Sequence, residues 1–279
     1  MHRLDGHIKD IEPRILAICK HAPEQEEASL QQSLSAYGWV LLDSWVAWRT
    51  LRYLLKSTFI EENVDEKWFS TPSSYTASQL KAVWGIEEKT TTYIKTRTNK
   101  SFRELIDNTI QKKRNAAAHF TKKMGINGND YNDIKLYFDI LSKVFLLYET
   151  GAFIEDMSKI LESKGYGGFR IIYPDGEIID LDENIKKTFV NSIETYFKYS
   201  SFIFVFEAEQ KKCSISFNRD GCEVEIKDSE GKTVNKTFIL DDNRKEYIFF
   251  ENKGYYLDIC QFVSKVMSAL VAATSNGNY

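Results

Sequence analysis

The chain has 279 residues, of which 43% are hydrophobic and 14% aromatic. This composition supports a substantial core and excludes an intrinsically disordered chain. Its 37 basic and 40 acidic residues give a net charge of −3, so any contact with nucleic acid has to come from a local basic patch.

Three features predict a cytoplasmic protein without a membrane segment. No apolar run reaches the roughly 18 residues of a membrane span. The N-terminal segment carries acidic residues where a signal peptide needs an apolar region. The four cysteines form no CxxC pair, which is typical of free thiols in a reducing compartment.

Helical periodicity dominates the first part of the chain. Apolar residues recur at steps of three and four, and Ser101 with Glu104 matches a capping box. Pro13 predicts a kink or an early break in the first helix, and Gly125 is the expected stop of the helix that begins at Ser101. The predicted helices are Leu4–His21, Glu26–Lys56, Ala77–Trp84, Ser101–Gly125, Tyr131–Tyr148 and Phe153–Ser163.

The pattern changes after residue 164, where several glycines interrupt it. Pro174-Asp175-Gly176 between two apolar segments predicts a hairpin. One helix over Ile185–Phe197 follows, then a series of strands that includes EYIFF, and a final helix over Leu257–Ala273. FIFVF, apolar at every position, predicts a central strand covered on both faces. The fold class is therefore α+β, with a helical bundle at 1–164 and a smaller α+β domain at 165–279 whose sheet is mostly antiparallel.

One basic segment carries the residues suited to chemistry. Four residues separate Arg114 from His119, and the polar Asn115 directly follows the arginine. Cleavage of RNA without metal requires proton transfer from the 2′-OH and to the leaving oxygen, which histidine performs near neutral pH. It also requires a cation on the charged phosphorane, which arginine supplies. The flanking lysines, which would attract RNA in a salt-dependent way, are Lys112, Lys113, Lys122 and Lys123.

This segment resembles the R-x(4–6)-H motif of HEPN domains, in the RN-xxx-H form common among prokaryotic members. The resemblance covers roughly residues 30–150 in helical layout and, at the level of residues, Arg114, Asn115 and His119. It implies a homodimer through the helical domain and a metal-independent endoribonuclease of toxin–antitoxin or antiphage systems, with no cofactor. His119 would be the general acid and base, Arg114 would stabilise the phosphorane, and Asn115 would position them.

The resemblance also implies the products and the partners. Attack by the 2′-OH would leave 2′,3′-cyclic phosphate and 5′-OH ends on a tRNA or mRNA. The second domain is not part of the motif, but a free ribonuclease needs control in its host, so this domain is the candidate for sensing a trigger, binding an antitoxin or extending the dimer. Thr121 stands where HEPN proteins that pair with a small nucleotidyltransferase often carry tyrosine, which argues against that kind of antitoxin.

Helix geometry leaves two arrangements open. Five positions on an ideal helix correspond to a rotation of about 140°, so Arg114 and His119 do not share a face. Either the helix is distorted near His119, or two motifs pair across a dimer axis. Asp43 lies opposite the main apolar stripe of its helix, and it either orients His119, is simply solvated or pairs with an arginine such as Arg49.

Three competing interpretations remain. A non-catalytic HEPN-like module could use the same basic helix to bind RNA or a protein. Asp175 with Glu209-Gln210-Lys211 is similar to the PD…ExK pattern of Mg²⁺-dependent nucleases. Arg14 and His21 also match R-x(4–6)-H, but an apolar residue follows that arginine, so this copy lacks the RN form.

Overall fold

The computed structural model describes residues 3–58, 75–119, 125–181, 184–199, 201–208, 211–218, 221–228 and 233–239. Helices come first and an antiparallel sheet follows, which confirms the predicted α+β class. The chain divides into two compact units between Phe145 and Leu146. The predicted domain boundary at 164/165 lies between the last helix before the sheet and the first strand. That this position separates two domains stays a prediction.

Seven helices of the described chain precede the sheet. In chain order they are α1 (Arg3–His21), α2 (Ala28–Thr58), α3 (Ala77–Trp84), α4 (Glu88–Thr98), α5 (Phe102–Leu105), α6 (Lys112–Ala118) and α7 (Tyr131–Glu162). A π-helical turn, Ile106–Gln111, joins α5 directly to α6. Short 3₁₀ turns at Ala22–Glu24 and Gly128–Asp130 precede α2 and α7.

Helix α2 is the centre of the first unit, as its apolar residues on several sides predict. Trp45 is fully buried, and its ring lies 4.8 Å from Phe138 and 5.5 Å from Phe145, both on α7. Trp84 of α3 stacks on Phe145 at 4.4 Å and on Tyr53 of α2 at 4.1 Å. This aromatic core fixes α2 against its neighbours, and α2 in turn carries Asp43.

Several predicted helix boundaries differ from the observed ones. The segments predicted at Tyr131–Tyr148 and Phe153–Ser163 form the single helix α7. Helix α4 was not predicted at all. Helix α1 continues through Pro13, and the helix expected to stop at Gly125 ends already at Ala118.

The second unit is built on a six-stranded sheet in which every described pair is antiparallel. In chain order, its strands and two helices are β1 (Gly167–Ile172), β2 (Ile178–Asp180), α8 (Ile185–Val190), α9 (Ile193–Tyr199), β3 (Phe202–Ala208), β4 (Lys211–Asn218), β5 (Gly221–Asp228) and β6 (Thr233–Ile239). Within the sheet, neighbouring strands follow the order β2-β1-β3-β4-β5-β6. The hairpin predicted at Pro174-Asp175-Gly176 is confirmed as β1–β2. The single helix predicted over Ile185–Phe197 is two helices instead.

Strand β3 lies inside the sheet, as FIFVF predicts, but the cover expected on both of its faces is incomplete. Phe202, Phe204 and Phe206 are buried on one face, and Val205 is buried on the other, whereas Ile203 is exposed. The EYIFF strand and the helix predicted over 257–273 lie outside the described residues. Within the residues that are described, no helix has the length and apolar character needed to cross a membrane.

Candidate nucleic-acid site around Arg114

The motif helix begins at the capping box that the sequence predicts. Ser101 Oγ accepts a hydrogen bond from the Glu104 N–H at 3.2 Å, and Glu104 Oε2 accepts one from the Ser101 N–H at 2.7 Å. The π-helical turn that follows is tied to the first residue of α3 and to Tyr75 just before that helix. Asp107 Oδ1 accepts from the Ala77 N–H at 2.7 Å, and the Gln111 side-chain amide donates to the carbonyl oxygen of Tyr75. Such turns often occur at functional sites, because they change the direction of the side chains that follow.

Arg114 is held by Asp43 of α2. Its Nε donates to Asp43 Oδ2 at 2.9 Å, and the carboxylate is only 1% exposed whereas the arginine side chain is 21% exposed. Burial raises the pKa of Asp43, against the opposing effects of Arg114 and of the hydroxyl of Tyr75. The contact shows that Asp43 pairs with Arg114, while Arg49, its other expected partner, pairs with Glu12.

Asn115 provides a second contact to the guanidinium. Arg114 Nη1 donates to Asn115 Oδ1 at 2.8 Å, and Asn115 itself is exposed. The guanidinium is thus anchored at Nε by a buried carboxylate and at Nη1 by a surface amide. An arginine held at two points and still partly exposed is suited to binding a phosphate group.

His119 lies at the end of α6 with its side chain exposed. Its N–H donates to the Asn115 carbonyl at 3.1 Å, and its backbone (φ −97°, ψ 1°) leaves the helical conformation. The regular helix therefore ends at His119, and the two expected arrangements both stay predictions. Among the contacts between described residues, none joins Asp43 to His119, so the orienting role expected there has no contact behind it.

The flanking lysines differ in their surroundings. Lys112 is exposed. Lys113 Nζ forms an ion pair with the buried Asp130 Oδ2 at 2.8 Å and donates to the carbonyl of Gly125, so its charge is already paired within the fold. Its assignment to RNA stays a prediction. Lys122 and Lys123 lie outside the described residues.

A polar stripe on α2 was missed by the sequence analysis. Gln32 donates to the carbonyl of Ile126, Ser35 donates to the carbonyl of Gly128, and the Trp39 indole donates to Asp130. The side chains of the stripe, at steps of three, four and four, are Gln32, Ser35, Trp39 and Asp43. Recurring polar groups on an otherwise apolar helix were the available signal, and they show that α2 holds both the motif helix and residues 125–130.

The second R-x(4–6)-H copy lies on α1. Arg14 and His21 are both exposed, and His21 Nδ1 lies 2.7 Å from Glu24 Oε2. An exposed pair on a surface helix matches the motif in sequence, but it lacks the buried carboxylate that anchors Arg114.

The sheet separates Asp175 from Lys211, two members of the predicted metal site, which stays a prediction. Asp175 follows β1, whose last residue pairs with Ile203 at the beginning of β3, whereas Lys211 pairs with Ala208 at its end. The five residue steps from Ile203 to Ala208 span about 17 Å, at about 3.3 Å per residue. Glu209 and Gln210 lie outside the described residues. Within the described ranges, no three histidine, cysteine, aspartate or glutamate residues cluster in a way that could hold a metal ion.

No protein-family model, curated protein or solved structure matches this chain.

Proposed function

We propose that this chain is a metal-independent endoribonuclease of the HEPN kind, acting in the cytoplasm as a toxin or an antiphage effector. One observation carries the proposal. A buried carboxylate, Asp43, holds a partly exposed Arg114 at 2.9 Å, on the same short helix that ends at the exposed His119. A fixed cation and a titratable imidazole, both accessible to a ligand, are the groups that metal-free cleavage of RNA requires.

Each residue takes a role in the cleavage step. His119 removes the proton from the 2′-OH, whose oxygen attacks the adjacent phosphorus. Arg114 donates hydrogen bonds to the non-bridging oxygens as their negative charge grows. The bond from phosphorus to the 5′-oxygen breaks, that oxygen takes up a proton, and the products are a 2′,3′-cyclic phosphate and a 5′-OH. In a homodimer through the helical unit, the histidine of the second copy supplies this second proton transfer.

A ribonuclease of this type needs control within its host. The second unit, with its antiparallel sheet, is the part of the chain available to sense a trigger or to bind an antitoxin. Such a partner would act on the enzyme without contributing to the chemistry. The substrate class is RNA, with tRNA and mRNA as the two candidates.

A non-catalytic module that binds RNA or protein is the second candidate function. It is favoured by the surroundings of His119, whose ring has no hydrogen bond to another described residue, whereas Arg114 is anchored at two atoms. A binding surface needs the fixed arginine but no oriented histidine. This function predicts that Arg114→Ala weakens binding and that no cleavage occurs.

Cleavage of total RNA and of tRNA by the purified full-length chain in EDTA tests the proposal. Arg114→Ala and His119→Ala should each lower the rate by about 100-fold or more, since each removes a group that acts in the transition state. Arg14→Ala and His21→Ala are the matched controls, because they change the same residue types in the other copy of the motif, and they should cleave as the wild type does. The products should carry a 2′,3′-cyclic phosphate.

Three results would contradict this proposal. Activity that is abolished by EDTA indicates a metal-dependent nuclease. Binding of RNA that depends on Arg114, without any cleavage, indicates the binding module. Equal losses in the Arg14 and His21 variants would mean that the RN-xxx-H motif has no special role.

A further inference from the structure

Two buried side chains lie behind Arg114. The Tyr75 hydroxyl contacts Asp43 twice, donating to Oδ1 at 3.1 Å and lying 3.0 Å from the carbonyl oxygen of the same residue. Tyr75 is 2% exposed and Asp43 is 1% exposed, so neither residue can touch a substrate at the surface. Any effect that they have on the site must act through Arg114.

These contacts form a closed ring across three parts of the chain. Arg114 bonds to Asp43 of α2, Asp43 bonds to the Tyr75 hydroxyl, and the Tyr75 carbonyl accepts from Gln111, three residues before Arg114. The Asp107 side chain holds the N–H of Ala77 as well. Tyr75 is therefore fixed relative to the helix that carries Arg114, and the ring does not depend on contact with a ligand.

The ring fixes the plane of the guanidinium. A free arginine side chain loses substantial rotational freedom when it binds a phosphate, and a 1 Å displacement of a catalytic group can lower a rate about 100-fold. An Nε–H bond to a buried carboxylate removes most of that freedom before substrate arrives. The Nη1 contact with Asn115 then orients the end of the side chain.

We propose that Asp43 and Tyr75 are positioning residues that hold the Arg114 guanidinium ready for an RNA phosphodiester. The expected effect of these residues on RNA cleavage rests on the proposed function. The arrangement of Arg114 itself is a separate property, and it can be measured whether or not the chain cleaves RNA.

The same unit contains a matched control. Glu12 of α1 accepts from Arg49 Nη1 at 3.4 Å and from Trp45 Nε1 at 2.9 Å, and it is buried like Asp43. It is therefore a second buried carboxylate bound to an arginine and an aromatic donor, neither of which belongs to the motif. Glu12→Gln removes the same charge as Asp43→Asn, and both changes should lower stability in the same way.

The first measurement is steady-state cleavage by Asp43→Asn, Tyr75→Phe and Glu12→Gln in the full-length chain. Asp43→Asn should lower kcat by about 10- to 100-fold, and Tyr75→Phe should lower it less, with KM changed little in both. Glu12→Gln should leave kcat within about twofold of the wild type even if its melting temperature falls. Losses of kcat that follow the melting temperature across all three variants would overturn the positioning role.

The second measurement does not depend on activity. In a ¹H–¹⁵N spectrum of the arginine Nε–H groups, the Arg114 signal, assigned by its loss in Arg114→Lys, should be displaced and exchange slowly with water. Asp43→Asn and Tyr75→Phe should each shift this signal and speed its exchange, whereas Glu12→Gln should leave it unchanged. If the wild type cleaves no RNA but these shifts occur, the proposed function fails and the positioning role stands. If Asp43→Asn and Tyr75→Phe leave the signal unchanged, the positioning role is wrong, whatever the activity.

Discussion

At the scale of single residues, the first unit contains three ion pairs at positions where burial of a charge is unfavourable. They are Glu12–Arg49, Asp43–Arg114 and Lys113–Asp130, and the acid of each pair is buried. Replacing a buried ion pair with apolar residues is often neutral or stabilising, so stability alone does not account for them. Two of the three hold neighbouring residues of the motif helix, which fits a site whose geometry must be defined.

Cys19 of α1 provides a test of burial at a single residue. Its Sγ lies 3.8 Å from the carbonyl oxygen of Tyr131, and burial, with a smaller effect of Asp139, raises the pKa of this thiol from 9.0 to about 11. Only the thiolate reacts with alkylating agents, so at pH 8 the reactive fraction should be about 100-fold smaller than in the unfolded chain. We expect iodoacetamide to modify Cys19 about 100-fold more slowly in the folded protein, measured by mass spectrometry of its peptide. Equal rates in folded and unfolded protein would contradict the raised pKa.

The sequence identifies the candidate residues of the site, but it does not predict which of them are in contact. Arg114, Asn115 and His119 stand out through spacing, and Asp43 through its position opposite an apolar stripe, but their roles stay predictions. The bond between Asp43 and Arg114 spans 71 positions of the chain. It depends on a π-helical turn and on helix packing, neither of which leaves a periodic pattern in the sequence.

At the scale of elements, the packing of α8 explains why a glycine, Gly151, lies inside the single helix α7. In sequence a glycine within an apolar pattern favours a break. In the structure it admits α8, because a Cβ at this position would lie 3.2 Å from Phe189 Cδ1 and 3.4 Å from Lys186 Cγ and Val190 Cγ2. The residue is small because another helix packs against it, and local propensity does not reveal that reason.

Substitution at Gly151 tests this account of α7. Gly151→Leu should lower the free energy of unfolding by about 1–3 kcal/mol, since the added side chain has to displace α8. Gly151→Ala is the matched variant, and it should change stability much less, because a gain of about 1 kcal/mol in helix propensity offsets the close contacts of one methyl group. Urea unfolding followed by circular dichroism measures both. A leucine variant as stable as the alanine variant would show that α8 does not constrain this position.

Two other elements differ from prediction for equally physical reasons. Helix α4 buries Thr90 and Thr98 together with Tyr93 and Ile94, so half of its buried face is polar and gives no apolar stripe. Between α8 and α9, Ser192 donates to the Phe189 carbonyl and lies 2.6 Å from the Tyr173 hydroxyl. The steps of four from Ile185 to Phe197 predict one helix, but this tertiary contact lies at the turn that divides it.

At the scale of the whole molecule, α7 belongs to both units. Its first half carries Phe138 and Phe145, which pack against Trp45. Its second half lies in the unit that begins at Leu146, where Thr150 Oγ1 is 3.2 Å from the Tyr196 hydroxyl. A cut at 164, where the sequence predicts the domain boundary, keeps the helix whole but removes α8 and α9, which cover its second half.

Two fragments distinguish these boundaries. Residues 1–164 should bind a hydrophobic dye such as ANS much more strongly than the full-length chain, because the cut removes the residues that cover the second half of α7. The apolar residues of that half, all fully buried in the whole chain, are Leu147, Tyr148, Ile154, Met157 and Leu161. Residues 1–145 lack this half and should therefore bind less dye than residues 1–164. Dye fluorescence per mole of protein decides between the two boundaries, and circular dichroism of each fragment confirms its helix content. If 1–164 binds no more dye than the full-length chain, the second half of α7 belongs to the first domain, and the boundary lies at 164/165 as the sequence predicts.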